Sequence, residues 1–320
     1  SRRQRQMCIR DRTDEIIGNV RMNYSCYSGQ DLYSDGEVEK ELLNIVKKYP
    51  RSEYNKIISE RKSWPILYHL SHIRGNILRQ IKMIGSESVL EIGSGCGAIT
   101  TTIAEQAAKV TCVDLSRTRS LINAYRNQDF SNIEIVVGNF EDIEKKITEL
   151  YDVVTLIGVF EYAAYYIHSD DPYHEFLNMV LKHIKSGGKL LIAIENRLGF
   201  KYFAGCREDH LGTFFEGIEG YKNKKGIQTF SKKEWQDVFK KSGVENYTFY
   251  YPYPDYKFPM YIFSDDYLPK KEELNINYQN FDRDRIVLYD DDKVYQTLLE
   301  NGLFQEFSNS YLIEIQKGKE

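Results

Sequence analysis

From residue 87 onward the sequence alternates short apolar runs with longer amphipathic stretches, and this alternation constrains the fold more than any other feature. The runs 88–92, 110–114, 133–137, 152–158 and 189–195 have the length and β-branched content of buried strands. Between them, 98–107, 117–127, 141–149 and 172–185 carry apolar residues at helical spacing. Such a βαβ series predicts a doubly wound, mostly parallel sheet with helices on both faces. Lys185-Ser186-Gly187-Gly188 reads as the stop and turn before the fifth strand. Strand-like runs at 247–253 and 310–316 bring the count to seven. Ser231-Lys232-Lys233-Glu234 has the spacing of a capping box opening a helix to about residue 242.

The segments outside this series are read as follows. Residues 37–48 and 65–82 have helical periodicity, so 13–85 is expected to be an N-terminal helical extension to a main domain over 86–320. Two long irregular segments, 196–229 after the fifth strand and 254–305 after the sixth, are read as acceptor-side insertions, the second with a helix near 292–300. Long loops in a compact domain are usually functional. Residues 1–12 include Met7-Cys8-Ile9-Arg10-Asp11-Arg12, which reads as a translated sequencing adapter and is set aside from fold reasoning.

Composition excludes several classes. Hydrophobic residues at 42% and charged residues at 28% over 320 residues are ordinary for a globular protein. A formal net charge of −4 lacks the basic footprint of a nucleic-acid binder. Five scattered cysteines without a C-x-x-C pair argue against a disulfide framework and a structural zinc site, and fit a cytoplasmic setting. The longest apolar run, 153–160, is too short to span a bilayer, which needs about 20 residues. Tyr 25 and Phe 16 against Trp 2 stand out, and the aromatics crowd into 247–267 and the loop after the fifth strand. Aromatic faces and phenol hydroxyls can hold sugar rings, so they are expected to mark the acceptor side.

The chemistry concentrates in Val89-Leu90-Glu91-Ile92-Gly93-Ser94-Gly95-Cys96-Gly97, an apolar strand running through a glycine turn into a helix. Glycines permit the tight turn and a close approach of ligand to backbone. The second strand ends in Asp114, whose carboxylate can accept ribose hydroxyls. A dinucleotide site would carry G-x-G-x-x-G, but Ala98 stands where its last glycine would fall. Glu91 suits a cationic ligand better than a pyrophosphate.

E-x-G-x-G-x-G followed by an acidic second strand tip resembles the class I S-adenosylmethionine-dependent methyltransferases, with their Rossmann-like seven-stranded sheet, over about 86–316. The ending Ser310-Tyr311-Leu312-Ile313-Glu314-Ile315 is similar to the family's seventh, antiparallel strand. The resemblance implies S-adenosylmethionine as cofactor, with Glu91, Gly93, Gly95 and Gly97 at its amino-acid part and Asp114 at its ribose. Asn139, where the family often has Asp, would meet the adenine amine, with Leu115 and Phe140 as further contacts.

Tyr68-His69-Leu70-Ser71, Ile194-Glu195-Asn196-Arg197-Leu198-Gly199, Glu208-Asp209-His210 and Gly217-Ile218-Glu219-Gly220-Tyr221 look like bacterial methyltransferase domains found with glycosyltransferases of surface-polysaccharide synthesis. That likeness implies O-methylation of a saccharide or glycolipid intermediate, with a fused or associated glycosyltransferase as partner. Methylation of another small natural product, or a catalytically silent cofactor-binding domain acting as a partner module, are the alternatives.

In an open α/β sheet the ligand lies beyond the carboxyl ends of the strands, which sets Glu161 and Glu195–Arg197 on the rim of the glycine loop and Asp114. A hydroxyl acceptor must lose its proton, and His210, Glu161 and Glu195 are the candidate catalytic groups. Asn196, Arg197, Asp209 and Tyr165 are the candidate substrate contacts. Glu161 with Glu195-Asn196 also offers the hard oxygen ligands that suit Mg²⁺, but nothing else in the sequence supports a metal and none is expected.

Overall fold

A computed structural model describes residues 14–31, 36–222, 226–275 and 283–318. Residues 1–12, read as an adapter, lie outside the described residues. The chain divides into two compact units, Ser1–Thr155 and Leu156–Glu320.

The first unit contains β1 (Glu15–Ile17), β2 (Val20–Cys26), β3 (Ser88–Ile92), β4 (Lys109–Asp114) and β5 (Ile133–Gly138), with β6 (Tyr151–Ile157) at the division. Strand β4 pairs in parallel with β3 and β5, in register from Ser88↔Lys109 and Val110↔Ile133. This is the Rossmann-like core that the alternation predicts. Strand β2 adds itself in parallel to β5 and carries β1 antiparallel at its edge. The segment expected to be wholly helical therefore opens with two strands; Val20 and Met22 alternate inward from them and are fully buried.

Helices follow those strands. Helix Glu37–Lys48 has acids in its first turn, lysines in its last, and Leu42, Ile45 and Val46 on its buried face. It packs with Tyr54, Ile57, Ile66 and Leu70 around Cys96 of the glycine loop and Ile122. The run 65–82 is not one helix. It breaks at Ser71, whose backbone is extended and whose hydroxyl accepts the Ile73 N–H, leaving helix Trp64–Leu70, a short 3₁₀ turn and helix Asn76–Arg79. The helix expected over 98–107 is only Thr100–Ala104. Three successive threonines give it weak propensity, and Thr101 bonds back to the Gly97 carbonyl.

The second unit contains β7 (Ile184–Glu195), β8 (Tyr247–Tyr253), β9 (Tyr261–Ser264) and β10 (Ser310–Gln316). Strand β10 runs antiparallel between β7 and β8, and β9 pairs antiparallel with β8. The described residues thus hold ten strands rather than seven: β1, β2 and β9 are additions, and this unit's pairings are antiparallel rather than parallel. Lys185–Gly188 does not interrupt β7. The Lys317 N–H donates to the Gly188 carbonyl and the Gly187 N–H to the Gly318 carbonyl, so the chain's last described residues pair with the glycines and extend the strand. The capping box forms as expected, with Ser231 and Glu234 exchanging hydrogen bonds at the start of helix Lys232–Lys241.

The aromatics mostly fill this unit's core. Phe249, Tyr251, Tyr253, Tyr256, Phe258 and Phe263 are buried, and Phe160 meets Trp235 with ring centroids 4.8 Å apart. Tyr165, Phe215, Tyr261 and Tyr267 remain exposed. Among the described residues no helix is long and apolar enough to cross a membrane, and Cys26, Cys96, Cys112 and Cys206 are thiols.

Candidate functional site

In the first unit the turn after β3 is locked onto the end of β4. The Gly93 and Ser94 N–H groups both donate to the Val113 carbonyl, at 2.8 and 3.1 Å. Gly93, Gly95 and Gly97 all have positive φ, from 52° to 77°, a region that favours glycine. They differ in surroundings: a Cβ on Gly97 would come within 2.3 Å of Asn123 Oδ1, whereas one on Gly95 would meet nothing within 4 Å. Gly97 is needed for packing, and Gly95 borders open space that a ligand can fill.

Asp114 is buried at the tip of β4. Its carboxylate accepts the Gly95 N–H (2.7 Å) and the Ser116 N–H (2.9 Å), while Ser116 itself caps the following helix. Burial raises its proton affinity, and the two amides partly oppose that rise. Each carboxylate oxygen keeps a lone pair for a further donor. Glu91 lies beneath the loop, accepting the Thr100 hydroxyl at 2.6 Å and the Cys112 thiol at 3.4 Å. Burial pushes its pKa up to about 7, so a cationic ligand nearby would favour its ionised form. Asn139 caps helix Phe140–Glu144 by accepting the Glu141 N–H; Phe140 is buried and Leu115 half-buried.

Buried polar atoms without a hydrogen-bond partner among the described residues include the Ser94 hydroxyl in the loop and the Nε and Nη1 donors of Arg74. Arg74 stacks 3.9 Å from the centre of the Tyr68 ring. The adjacent Gly75 lies so close to Thr102, on the helix after the loop, that a Cβ would come within 2.1 Å of its hydroxyl. Open space at Gly95, an acid at the strand tip and an unsatisfied guanidinium fit an α-amino acid joined to a nucleoside.

Residues 90–190 match the model of the methyltransferase domain. Over that stretch the chain resembles methyltransferase domains. It is similar to ubiquinone biosynthesis O-methyltransferase of Rickettsia typhi, 28% identical over 174 residues, covering 52% of this chain and 65% of that protein. The enzyme of the same name from Rickettsia canadensis is 30% identical over 137 residues, covering 42% and 54%. The chain thus spans less than two thirds of the length of these relatives. A solved S-adenosylmethionine-dependent methyltransferase from Archaeoglobus fulgidus aligns with 14% identity and a TM-score of 0.47, covering 78% of this chain and 96% of that one.

In the methyltransferase domain the cofactor would be held by the cradle Gly93–Gly97, with Asp114, Asn139 and Phe140 along the strand tips. Arg74 is the residue that the sequence reading missed. It lies outside the glycine motif, and only its buried, unsatisfied donors single it out.

The second unit gathers charge instead. Glu161 follows β6, Glu195 ends β7, and His210 comes from the long loop after it. His210 Nε2 lies 3.5 Å from Glu161 Oε1 and 3.7 Å from Glu195 Oε2, and Nδ1 lies 3.0 Å from Glu208 Oε1. All these side chains are almost wholly buried. Glu208 is fixed by the N–H groups of His210 and Leu211 and by the Tyr221 hydroxyl. Lys257 bridges Glu195 and Asp209, and Lys201 bridges Asp209 and Asp255. Glu161 Oε2 and Glu195 Oε2 have no hydrogen-bond partner among the described residues.

Protonation follows from these neighbours. Burial alone would lower His210, but Glu195, Glu161 and Glu208 outweigh it and hold the imidazole well above its ordinary pKa. Burial raises Glu161 despite the imidazole beside it. Burial would raise Glu195 too, yet Lys257 and His210 hold it below the usual range. The ordinary histidine pKa that recommended His210 as a general base is therefore not what this pocket gives: an imidazolium has no lone pair to offer.

The expected substrate contacts part ways. Asn196 is fully buried and used internally: its amide donates to the Glu306 and Ser308 carbonyls, and its oxygen accepts the Leu198 N–H. Arg197 ties the loop together through the Gly217 carbonyl and Glu234. Asp209 belongs to the lysine network and accepts the Tyr202 hydroxyl at 2.6 Å. These polar atoms have partners within the chain, although the Arg197 and Asp209 side chains stay partly accessible. Tyr165 stands exposed, 55% accessible.

Proposed function

We propose that this protein is an S-adenosylmethionine-dependent O-methyltransferase whose acceptor is a hydroxyl of a saccharide or glycan-linked intermediate, with a glycosyltransferase as its fused or associated partner in the cytoplasm. The observation that carries the hydroxyl reading is the pair of buried glutamate oxygens, Glu161 Oε2 and Glu195 Oε2, left without donors beside His210. A hydroxyl is the donor they lack.

Bound S-adenosylmethionine supplies a methyl group on a sulfonium, an electrophile with a good leaving group. The protein's work is to position the acceptor, exclude water and take one proton. Glu161, raised in proton affinity, accepts that proton as the oxygen–methyl bond forms. Glu195, held ionised by Lys257, orients the hydroxyl, and the His210 cation steadies both carboxylates. In the first unit Arg74 would pair with the cofactor's carboxylate and Asp114 with its ribose.

A second reading has its own support. The similar proteins from Rickettsia are named for ubiquinone biosynthesis, and they make a phenolic hydroxyl the rival acceptor. The test is transfer of labelled methyl groups from S-adenosylmethionine to a panel of lipid-linked saccharides and catechols. Label in the saccharides supports the proposal. Label in catechols alone overturns the saccharide acceptor. Label in neither, with cofactor bound, favours the silent domain.

A further inference from the structure

We propose that Glu161, Glu195 and His210 form a binding site for a divalent first-row transition ion, with Mn²⁺ as the representative. Two carboxylates and one imidazole place a ligand atom each within 4.8 Å of one another. At metal–donor distances of about 2.0–2.2 Å, donors stand about 3.0 Å apart on an octahedral ion and about 3.4 Å on a tetrahedral one, so the 3.5 and 3.7 Å separations here would close by a few tenths of an ångström on binding.

Each ligand is aimed by a second group. His210 points Nδ1 at Glu208, leaving Nε2 toward the two glutamates; a histidine that ligates metal commonly gives its far nitrogen to a carboxylate in this way. Glu195 gives Oε1 to Lys257 and keeps Oε2, unpartnered and buried, on the His210 side. The backbone of Glu161 is pinned through its carbonyl, which accepts the Tyr173 hydroxyl and the Gln228 N–H, and its Oε2 is likewise buried without a donor. Unsatisfied carboxylate oxygens at such depth are costly without a donor or a cation.

Charge points the same way. The carboxylates of Glu161, Glu195, Glu208, Asp209 and Asp255 outnumber the cations that face them among the described residues, Lys201, Lys257 and the His210 imidazolium, and a bound ion would displace the His210 proton to free Nε2. One imidazole among oxygen donors suits Mn²⁺ or a neighbouring ion better than Ca²⁺, which prefers six to eight oxygens. Three protein ligands leave positions open for an acceptor oxygen, which the ion would hold and polarise. That last role rests on the methyl-transfer reading; binding of the ion does not.

The experiment is equilibrium dialysis of the chelator-stripped full chain against Mn²⁺. Pulsed paramagnetic resonance of the bound ion and a separate S-adenosylmethionine titration are run on the same sample. One Mn²⁺ per chain with a histidine nitrogen coupling is expected, and at least tenfold weaker binding in Glu195→Gln and Glu161→Gln, each checked for a native melting transition. A folded wild type that binds no Mn²⁺, or bound Mn²⁺ without nitrogen coupling, overturns the site. Undiminished binding in the folded variants overturns it as well. The nitrogen signature decides the matter even if both variants fail to fold. Mn²⁺ bound as expected with no S-adenosylmethionine uptake would sink the methyl-transfer reading and leave the metal site standing.

Discussion

The glycine loop of the first unit and the charged cluster of the second are built by opposite means. The loop is made almost wholly by backbone: positive-φ glycines, amides donated to the Val113 carbonyl, and one acid, Asp114, drawing in two more amides. Its residues lie within one strand–turn–helix and the next strand tip. The cluster is made by side chains from 161, 195, 208–210 and 257, held in place by opposing charge. A backbone cradle tolerates changes around it as long as its geometry survives. A buried ion network does not, because removing one member leaves its partners as unpaired charges.

That contrast can be broken experimentally, beginning with the largest effect. Lys257→Met strips Glu195 and Asp209 of the counter-ion they share and should cost about 3 kcal/mol in chemical denaturation. The cofactor affinity of the folded fraction should hardly change. A loss under 1 kcal/mol would show that the network is not a structural unit.

Asp114→Ala should act in the reverse sense. It removes the acceptor of the Gly95 and Ser116 amides and the acid proposed to meet the cofactor's ribose, so S-adenosylmethionine affinity should drop about 100-fold by calorimetry, as for loss of one charge-assisted hydrogen bond to the ligand at about 1.5–3 kcal/mol.

Glu91 gives a pH signature confined to the first unit. Its folded pKa of about 7 lies above the ordinary 4.5, so its contribution to stability is greatest below pH 4.5 and declines as pH rises toward 7, then stays flat. Glu91→Gln removes that decline. The variant's stability relative to wild type should grow by up to about 3 kcal/mol across this window, at 1.36 kcal/mol per pKa unit, read from denaturation midpoints at pH 5 and pH 8. A constant difference would mean that Glu91 is ionised throughout. The smallest effect is Ser231→Ala, which opens the capping box and should cost about 1 kcal/mol.

What could be read in the sequence follows the same division. β3, the glycine turn and Asp114 are adjacent in the chain or joined by one βαβ step, so spacing alone set their relation. The capping box and β10 were legible for the same reason. The additions were not. β1 has three residues and pairs only with β2, β2 leans on β5, more than a hundred residues away, and the four residues of β9 lie in an aromatic stretch with no clear alternation. The helix over 65–82 was overcalled because periodicity carries no sign of the break that Ser71 makes.

At the cluster, Glu161, Glu195 and His210 could be named as residue types but not as neighbours. Only the folded loop shows that Glu208 orients the imidazole and that Lys257 claims one oxygen of Glu195. Nor could composition tell the core aromatics from the exposed ones: Tyr251 and Tyr267 lie in the same stretch and end on opposite sides of the surface.

The central claim is that the cradle of the first unit binds S-adenosylmethionine. Calorimetric titration of the purified full chain tests it most directly, with wild type, Asp114→Ala and Lys257→Met run side by side. One cofactor per chain is predicted for wild type and for folded Lys257→Met, with binding lost or about 100-fold weaker in Asp114→Ala. No heat from folded wild type, or equal affinity in Asp114→Ala, would contradict it.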